Sequence, residues 1–491
     1  MKEGLTKQAY RGFFWQAIGS GFQSVIQIGV LVLLARLIAP DEFGVAQSAL
    51  IVVGFANLLS QMGVGPAIVQ RSELTENHIR AGSTLSLILG ITLGLAVYFG
   101  ASLISLFFKM PNLFPVLQLV SVIFVLESIT IISQSLLQRE MKLKALVIAD
   151  LISYSVGYGL VAIVLGLYGY GVWALIWGVI AQAVVKNIVV LIMKPHSLIP
   201  FFGQREIKEL LYFGGGFTIA RFFNYLANQG DNIIAGRYLG ADALGIYSRA
   251  YTIMVKPVSL IGTALDKVLF PAMASRQNQP DKLIEAFING SKLIAFLCIP
   301  ITFVIIFSSN EIIHVLLGEE WVEAIVPLQI LTAGLIFRMG YKMGDILSKA
   351  TGNVYSRAKR NVFYAICVLI GCYIGTHWGI LGVSLGTLLA IMVNYILMIH
   401  LSLSILKINW LYFLKRTFIE LPITLLLAVI FIAIIFLARL IITSDILILL
   451  AAYGVYGVIC LILLYFFWEK LSFIKLLPIK GVFKKMLRNY K

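Results

Sequence analysis

Residues 236–250 read GRYLGADALGIYSRA, and residues 35–49, 201 positions earlier, read ARLIAPDEFGVAQSA. Both segments lie between the first and second apolar stretches of a block of six such stretches, and several matched residues are similar in size. The identical pairs are Arg36 and Arg237, Asp41 and Asp242, Gly44 and Gly245, and Ala49 and Ala250. This spacing indicates an internal repeat of about 200 residues, and the repeat decides the predicted fold.

The composition places both blocks in a membrane. Of the 491 residues, 60% are hydrophobic and 13% are charged, against roughly 25% charged residues in an average soluble protein. This excludes a soluble globular protein and a disordered chain. About 20 apolar residues cross one bilayer, and we predict about fourteen helical spans. They cover residues 12–38, 43–65, 79–107, 113–137, 145–167, 171–193, 211–239, 244–272, 284–308, 324–347, 361–377, 379–405, 418–442 and 446–467.

The repeat sets the predicted domain organisation. Six is an even number, so both blocks enter the membrane in the same direction, as a parallel repeat about an axis along the membrane normal. We therefore predict an all-α polytopic membrane protein with two six-helix lobes in pseudo-twofold relation and two added C-terminal helices. The predicted parts are an N-lobe at 1–193, a cytoplasmic linker at 194–210, a C-lobe at 211–405, two spans within 406–468, and a basic cytoplasmic tail at 469–491.

The distribution of charge predicts the topology. The chain has 39 Lys and Arg against 23 Asp and Glu, a net charge of +16. Most basic residues fall in alternate connections, and the opposite connections hold acids such as Asp41 and Asp242. By the positive-inside rule, both termini are then cytoplasmic. The net charge is a topology signal rather than a nucleic-acid footprint, with attraction of the tail to anionic lipid as a weaker interpretation.

Motifs for catalysis and metal binding are missing from the sequence. It contains no GxxxxGK[ST] phosphate loop and no HExxH motif, and its four cysteines form no CxxC pair. The connections are too short to house a separate catalytic domain. We therefore predict no catalytic residues, no metal site and no cofactor, and a protein that is not an enzyme.

Two predicted spans carry polar stripes at positions that the repeat makes equivalent. The stripe residues are Gln16, Ser20, Gln23 and Gln27 in the first span, and Arg221, Asn224, Asn228 and Asp231 in the seventh. At 100° per residue each set lies on one face of its helix. Polar groups in lipid need partners. The stripes therefore either bond helix to helix or line a hydrated central cavity, and we favour the cavity.

Several basic residues lie within predicted spans. Arg249, Lys256 and Lys267 follow one face of the eighth span, a row that suits an anionic substrate such as a diphosphate. Arg249 is near the outer end and is alternatively a loop anchor. Lys186 and Lys292 lie near cytoplasmic ends, where long side chains reach the interface.

Opposite charges occupy equivalent positions in two further spans. Arg338, Lys342 and Asp345 share one face of the tenth span, and at an offset of 211 Arg338 corresponds to Glu127. Charges deep in a bilayer mark functional sites or paired groups. Glu127, Asp231 and Asp345 are the candidates for proton or sodium coupling, and neutralising ion pairs are the alternative for each.

The second repeated segment carries a family motif. Residues 231–251, DNIIAGRYLGADALGIYSRAY, together with Pro257 and the run VLFPA at 268–272, resemble the DNxxxGRxLGAxxLGxYxxAY segment of bacterial polysaccharide flippases. The chain is similar to the Wzx-type transporters of the MOP exporter superfamily, particularly the colanic acid exporter branch. The motif positions are interpreted as structural turn or gating residues. They are Arg36, Asp41, Gly44, Arg237, Gly240, Asp242 and Gly245.

The resemblance implies a function. Such transporters move undecaprenyl-diphosphate-linked oligosaccharides across the bacterial inner membrane by alternating access, without ATP, for surface polysaccharide export. Arg221 and Lys256 would hold the diphosphate, and the Gln and Asn residues of the stripes would contact sugar hydroxyls. Membrane lipids, and polymerase and chain-length proteins of the same pathway, are the implied partners. The alternatives are a drug or small-molecule exporter of the same superfamily, a membrane-embedded polysaccharide-processing enzyme, and an assembly scaffold.

Overall fold

The computed structural model describes the backbone of residues 2–61, 63–71 and 73–467. The side chains not described within these ranges are those of residues 2–14, 16–18, 59–61, 213–220, 260, 261, 263, 264, 267, 268, 354 and 464–467. The side chains of Gln16 and Lys267 and the predicted tail at 469–491 therefore lie outside the described residues. The described part of the chain is helical and has no strand, which confirms the all-α class.

The described chain divides into two compact units. The first comprises the described residues up to Arg249, Leu316–Glu320 and Val368–Val383, and the second comprises Ala250–Val315, Trp321–Cys367 and the residues described from Ser384 onward. One long helix runs from the first unit into the second. These units differ from the lobes predicted at 1–193 and 211–405, and that division into lobes stays a prediction.

The first unit is built from nine helices and the start of a tenth. They are α1 (Lys2–Ala35), α2 (Pro40–Gln61), α3 (Val64–Gln70), α4 (Glu76–Phe108), α5 (Leu113–Val120), α6 (Val122–Arg139), α7 (Leu143–Ile152), α8 (Val161–Leu167), α9 (Val172–Met193) and α10 (Gln204–Ala274), with a π-helical stretch at Ser153–Leu160. A core cluster including Val64, Ile68, Ile132 and Leu210 joins α3, α6 and α10.

The second unit continues from α10. Its further helices, three of which also have residues in the first unit, are α11 (Pro280–Phe307), α12 (Ser309–Leu316), α13 (Ile325–Ala333), α14 (Leu335–Ala350), α15 (Val354–Gly375), α16 (Gly379–Leu406), α17 (Trp410–Thr417), α18 (Leu421–Ile441) and α19 (Asp445–Phe467). Short 3₁₀ helices lie at Glu319–Ala324 and Thr376–Trp378.

Several of these helices are long and apolar enough to cross a membrane. Among the described residues, eight helices qualify, and a ninth is counted if Glu319–Ala333 and Leu335–Ala350, bent by 40°, form one span. Phe99 and Leu103 on α4 are 78% and 73% exposed, as is typical of side chains that face lipid. A multi-pass membrane protein is therefore confirmed, and the count of fourteen spans stays a prediction.

The repeat is visible in two interrupted helices. Ser121 separates α5 from α6, and Gly334 separates α13 from α14. The offset of 211 carries the first interruption to within two residues of the second. We therefore treat α6 and α14 as equivalent elements of the two repeats.

The last two helices are fastened to α11 and α12 of the second unit. Val304 of α11 shares a buried cluster with Phe431 of α18 and Ile448 of α19. Arg439 binds the buried Glu311 through two nitrogen–oxygen contacts, of 2.6 Å from Nε to Oε1 and 2.9 Å from Nη2 to Oε2. Apolar packing and a forked ion pair thus hold α18 and α19 in place.

Candidate transport pathway and coupling groups

The two repeated turns contact each other reciprocally. A Cβ atom added to Gly44 would meet the carbonyl oxygen of Ala241, and one added to Gly245 would meet the carbonyl oxygen of Pro40. Pro40 and Ala241 are themselves equivalent at the offset of 201. The contact therefore has the form of a twofold-symmetric interface, and only glycine at both positions allows the backbones to approach this closely.

The backbone conformation of Gly240 bends α10 within the family motif. Gly240 has φ 93° and ψ −175°, a region essentially restricted to glycine. Across this bend the Tyr247 hydroxyl donates to Asp231 Oδ2 at 2.8 Å, and Asp231 Oδ1 accepts from the backbone N–H of Asn232. Asp231, a candidate for coupling, is buried and here links the two sides of the bend.

The charged residues of the turns differ in their surroundings. Arg36, Asp41 and Asp242 are exposed, whereas the Arg237 guanidinium carbon lies 5.3 Å from the ring centre of Phe107. Asp41 is in the first turn of α2, where the helix dipole favours a negative charge.

Sequence reasoning missed Glu42, the neighbour of Asp41. Its Oε1 atom accepts a 3.3 Å hydrogen bond from the backbone N–H of Val172, at the N-terminus of α9. A carboxylate is favoured there because the first N–H groups of a helix lack partners within it. The first turn is thereby attached to α9, two residues before Gly44.

The described side chains of the polar stripes are accessible except for that of Asp231, which is buried. Ser20, Gln23 and Gln27 on α1 are partly exposed, and Asn224 on α10 is exposed. Asn228 donates to the backbone oxygen of Asn224 at 2.7 Å, a bond within α10. This bond does not join two helices, so it gives no support to the alternative of a seam between helices.

The basic residues along α10 have different environments. Arg221 is exposed and Lys256 is partly buried. The guanidinium of Arg249 lies 4.8 Å from the ring centre of Phe43, and its Nη2 atom is 3.4 Å from Gln47 Oε1. Arg249 thus contacts α2 beside the first turn, which favours its interpretation as an anchor.

The charges of α14 are held in three ways. Arg338 is buried, donates to the Tyr251 hydroxyl and lies 4.9 Å from the centre of that ring. The Lys342 ammonium lies against Gly262. Asp345 forms ion pairs with Lys349, at 2.6 Å, and with Arg357. The alternative of a neutralising ion pair therefore describes Asp345.

Glu127 lies in a polar cavity of the first unit. The cavity has a volume of about 240 Å³ between α6 and α9, and its polar lining includes Gln134, Gln182 and Lys186. The carboxylate accepts a hydrogen bond from Asn57 of α2 and is attracted by Lys186. The Lys186 ammonium itself binds Asp150 Oδ1 at 2.9 Å. The Gln182–Lys186 spacing of four residues is the sequence signal that could have placed Lys186 beside this cavity.

Sequence reasoning also missed a charged network at the predicted linker. Glu209, near the start of α10, accepts hydrogen bonds from His78 at 3.2 Å, Arg205 at 3.1 Å and Arg71. These bonds, that of His78 foremost, lower the pKa of Glu209 to about 2. Arg205 and Glu209 are four residues apart on one helix, but no sequence pattern connects Glu209 with Arg71 or with the buried His78, which lie more than 130 positions away.

Comparison with known proteins identifies a matching family and several similar proteins. The model of a family described as "Polysaccharide biosynthesis protein" matches residues 33–326. The teichuronic acid biosynthesis protein TuaB of Bacillus subtilis (strain 168) is 27% identical over 341 residues, which cover 68% of this chain and 70% of TuaB. The lipopolysaccharide biosynthesis protein WzxC of Escherichia coli (strain K12) is 26% identical over 410 residues, or 80% of each chain. The solved structure of the lipid II flippase MurJ in an inward closed conformation has a TM-score of 0.75 at 16% identity, covering 94% of this chain and 100% of MurJ.

Proposed function

Since this chain belongs to the family of polysaccharide biosynthesis proteins, we propose that it is a flippase for undecaprenyl-diphosphate-linked oligosaccharides. It moves them from the cytoplasmic to the outer leaflet of the bacterial inner membrane, with both of its own termini in the cytoplasm. The names of two relatives, which refer to lipopolysaccharide and to teichuronic acid, support a surface-polysaccharide substrate. The fold shared with MurJ supports a transporter architecture.

The observation that carries the mechanism is the reciprocal contact of Gly44 and Gly245. We assign the two turns as the outer gate. Their contact closes the pathway toward the outer leaflet, and their separation opens it. A closely fitted contact of this kind is suited to two discrete arrangements rather than to gradual deformation. Arg249, which contacts Phe43 and Gln47, holds the gate segment on α2.

The substrate groups are assigned by their chemistry. Arg221 and Lys256 hold the diphosphate, because a guanidinium forks onto phosphate oxygens and an ammonium supplies a compact charge. Gln23, Gln27 and Asn224 contact sugar hydroxyls, together with Gln16 and Asn228. The exposure of Arg221 and Asn224 supports their availability to a ligand. Polymerase and chain-length proteins of the pathway are the protein partners that we propose.

The test is reconstitution of the full chain in liposomes with a fluorescent undecaprenyl-diphosphate oligosaccharide in one leaflet. The wild type should expose the label to a membrane-impermeant quencher in the other leaflet. Arg221→Gln and Lys256→Gln should abolish this movement while the protein still inserts. Lys282→Gln, at an exposed position near the start of α11, is the matched control and should retain it. Full movement in both cavity variants would overturn the assignment of the diphosphate site.

A further inference from the structure

The cavity beside Glu127 is separate from the proposed gate and from the proposed diphosphate site. The ionisable groups in and beside it carry a net charge in one of their protonation states. Glu127 on α6 and Lys186 on α9 line the cavity, and Asp150 on α7 is connected to it through Lys186. Lys186 pairs with Asp150 at 2.9 Å, whereas Glu127 has the Asn57 amide as its hydrogen-bond donor. Two carboxylates thus share one cation.

The elements around Glu127 supply no second cation within the described residues. On α2 the group that faces it is the Asn57 amide, and on α9 it is Lys186. On α4, Gly90 packs against the α6 backbone at Phe124. Asp150 of α7 acts through Lys186. A net charge is costly inside a membrane protein, so the group of three is balanced when one carboxyl group carries a proton.

The two carboxylates differ in exposure, and the difference decides which one holds the proton. The Asp150 side chain is 42% exposed, so water can solvate its charge. Glu127 is partly buried among helices and lines an internal cavity. Lys186 has a long flexible stem and is placed to reach either acid.

We propose that Glu127 is a proton-binding site that drives transport, with Lys186 alternating between the two acids; this inference rests on the proposed flippase function. In one state Glu127 is protonated and Lys186 binds Asp150, and this Lys186–Asp150 pair is the one that the structure contains. In the other, the Glu127 carboxyl group transfers its proton to solvent water, Lys186 moves to the resulting carboxylate, and the charge of Asp150 is solvated by water. One proton is bound or released in each exchange.

A continuous set of contacts joins this site to the outer gate. Lys186 lies on α9, and the N-terminus of the same helix is held by Glu42 through the backbone N–H of Val172. Glu42 is two residues from Gly44, whose contact with Ala241 closes the gate. A shift of α9 that follows Lys186 therefore reaches the gate segment directly.

The first experiment needs no substrate, so it tests the proton site separately from the flippase function. Infrared difference spectra of the purified full chain, recorded across a pH jump, should contain the carbonyl band of a protonated carboxylic acid. Glu127→Gln should lose the band, and Asp345→Asn, the matched control at an ion-paired acid, should keep it. Asp150→Asn should weaken the band at the same pH, because Lys186 is then free to bind Glu127. An unchanged spectrum in Glu127→Gln would overturn the site.

The second experiment tests coupling in the liposomes described above. For one proton per cycle, a gradient of one pH unit should sustain about a tenfold difference of labelled lipid between leaflets. Glu127→Gln should lose this dependence on the gradient. If the wild type moves the lipid but ignores the pH gradient, or responds equally to sodium at constant pH, the coupling inference fails and the flippase proposal stands. If it moves no lipid although the infrared band titrates, the flippase proposal fails and the proton site stands.

Discussion

Two pairs of repeat-related segments have diverged to different extents. The two repeated turns retain the same chemistry, since Gly44 and Gly245 make the same contact with each other's segment. The helices α6 and α14 retain an interruption at a similar place but carry opposite charges, Glu127 and Arg338. One pair conserves a contact, whereas the other conserves only a backbone position.

The difference follows from what each pair must do. A symmetric contact fails if either side changes, because each backbone fits against the other's glycine. The two helices do not have to match, and each has found its own partners. Glu127 has an amide and a nearby lysine, and Arg338 has the hydroxyl and ring of Tyr251. Duplication supplied two equivalent positions, and their chemistry then separated.

The largest effect on stability should come from giving α6 the same charge as α14 at the equivalent position. Glu127→Arg places a second cation beside Lys186 in the cavity, and an uncompensated buried charge costs about 3–5 kcal/mol. We expect a large fall in the thermal unfolding midpoint of the purified protein, or loss of the folded protein from the membrane. Glu127→Gln is the control, with a midpoint near that of the wild type. Equal midpoints for the two variants would mean that the cavity tolerates charge.

A smaller effect should follow from disrupting the reciprocal contact between the two repeated turns. Gly44→Ala or Gly245→Ala forces a Cβ into a backbone carbonyl. Overpacking costs about 1–3 kcal/mol. Because the clash arises only in the closed gate, this cost lowers the population of the closed state by about five- to 150-fold. Transport of labelled lipid should fall accordingly. Gly100→Ala, at a helix position with open space, should transport normally, and normal transport in all three variants would refute the gate.

Removing the hydroxyl oxygen of Tyr251 tests whether this residue stabilises Arg338. Tyr251→Phe keeps the ring over the guanidinium but removes the hydroxyl that accepts its hydrogen bond. We expect a loss of about 1.5 kcal/mol, typical of a hydrogen bond to a charged group, measured as a lower thermal midpoint. Tyr238→Phe, at a half-exposed tyrosine of the first unit, is the comparison. A larger loss in Tyr238→Phe would mean that the hydroxyl of Tyr251 does not stabilise Arg338.

The smallest effect on stability should come from changing Asp150, the exposed carboxylate that pairs with Lys186. Asp150→Asn removes a pair whose side chains are 30% and 42% exposed, and such pairs contribute about 0–1 kcal/mol. The thermal midpoint should therefore change little, although the infrared band of Glu127 weakens. A fall as large as that of Glu127→Arg would show that Asp150 is a structural residue and not a reserve partner.

Much of this could be predicted from the sequence, because repeats and charge alternation are local patterns. The offset of 201 identified Gly44 and Gly245 as equivalent, and the offset of 211 identified Glu127 and Arg338. The partners of these residues could not be predicted, since Asn57 and Tyr251 come from other helices and follow no periodicity. Lys186, interpreted from sequence as a side chain that reaches the interface, binds Asp150, a partner that the sequence did not indicate.

The attachment of α18 and α19 sets an order of assembly. The buried face of α11 at Val304 is covered by Phe431 and Ile448, and the enclosed Glu311 finds its cation in Arg439, more than 120 residues later. A chain synthesised from the N-terminus therefore holds an uncovered apolar face and a carboxylate without Arg439 until its last helices arrive. The second unit can reach its final packing only at the end of translation, after the two repeated turns are already complete.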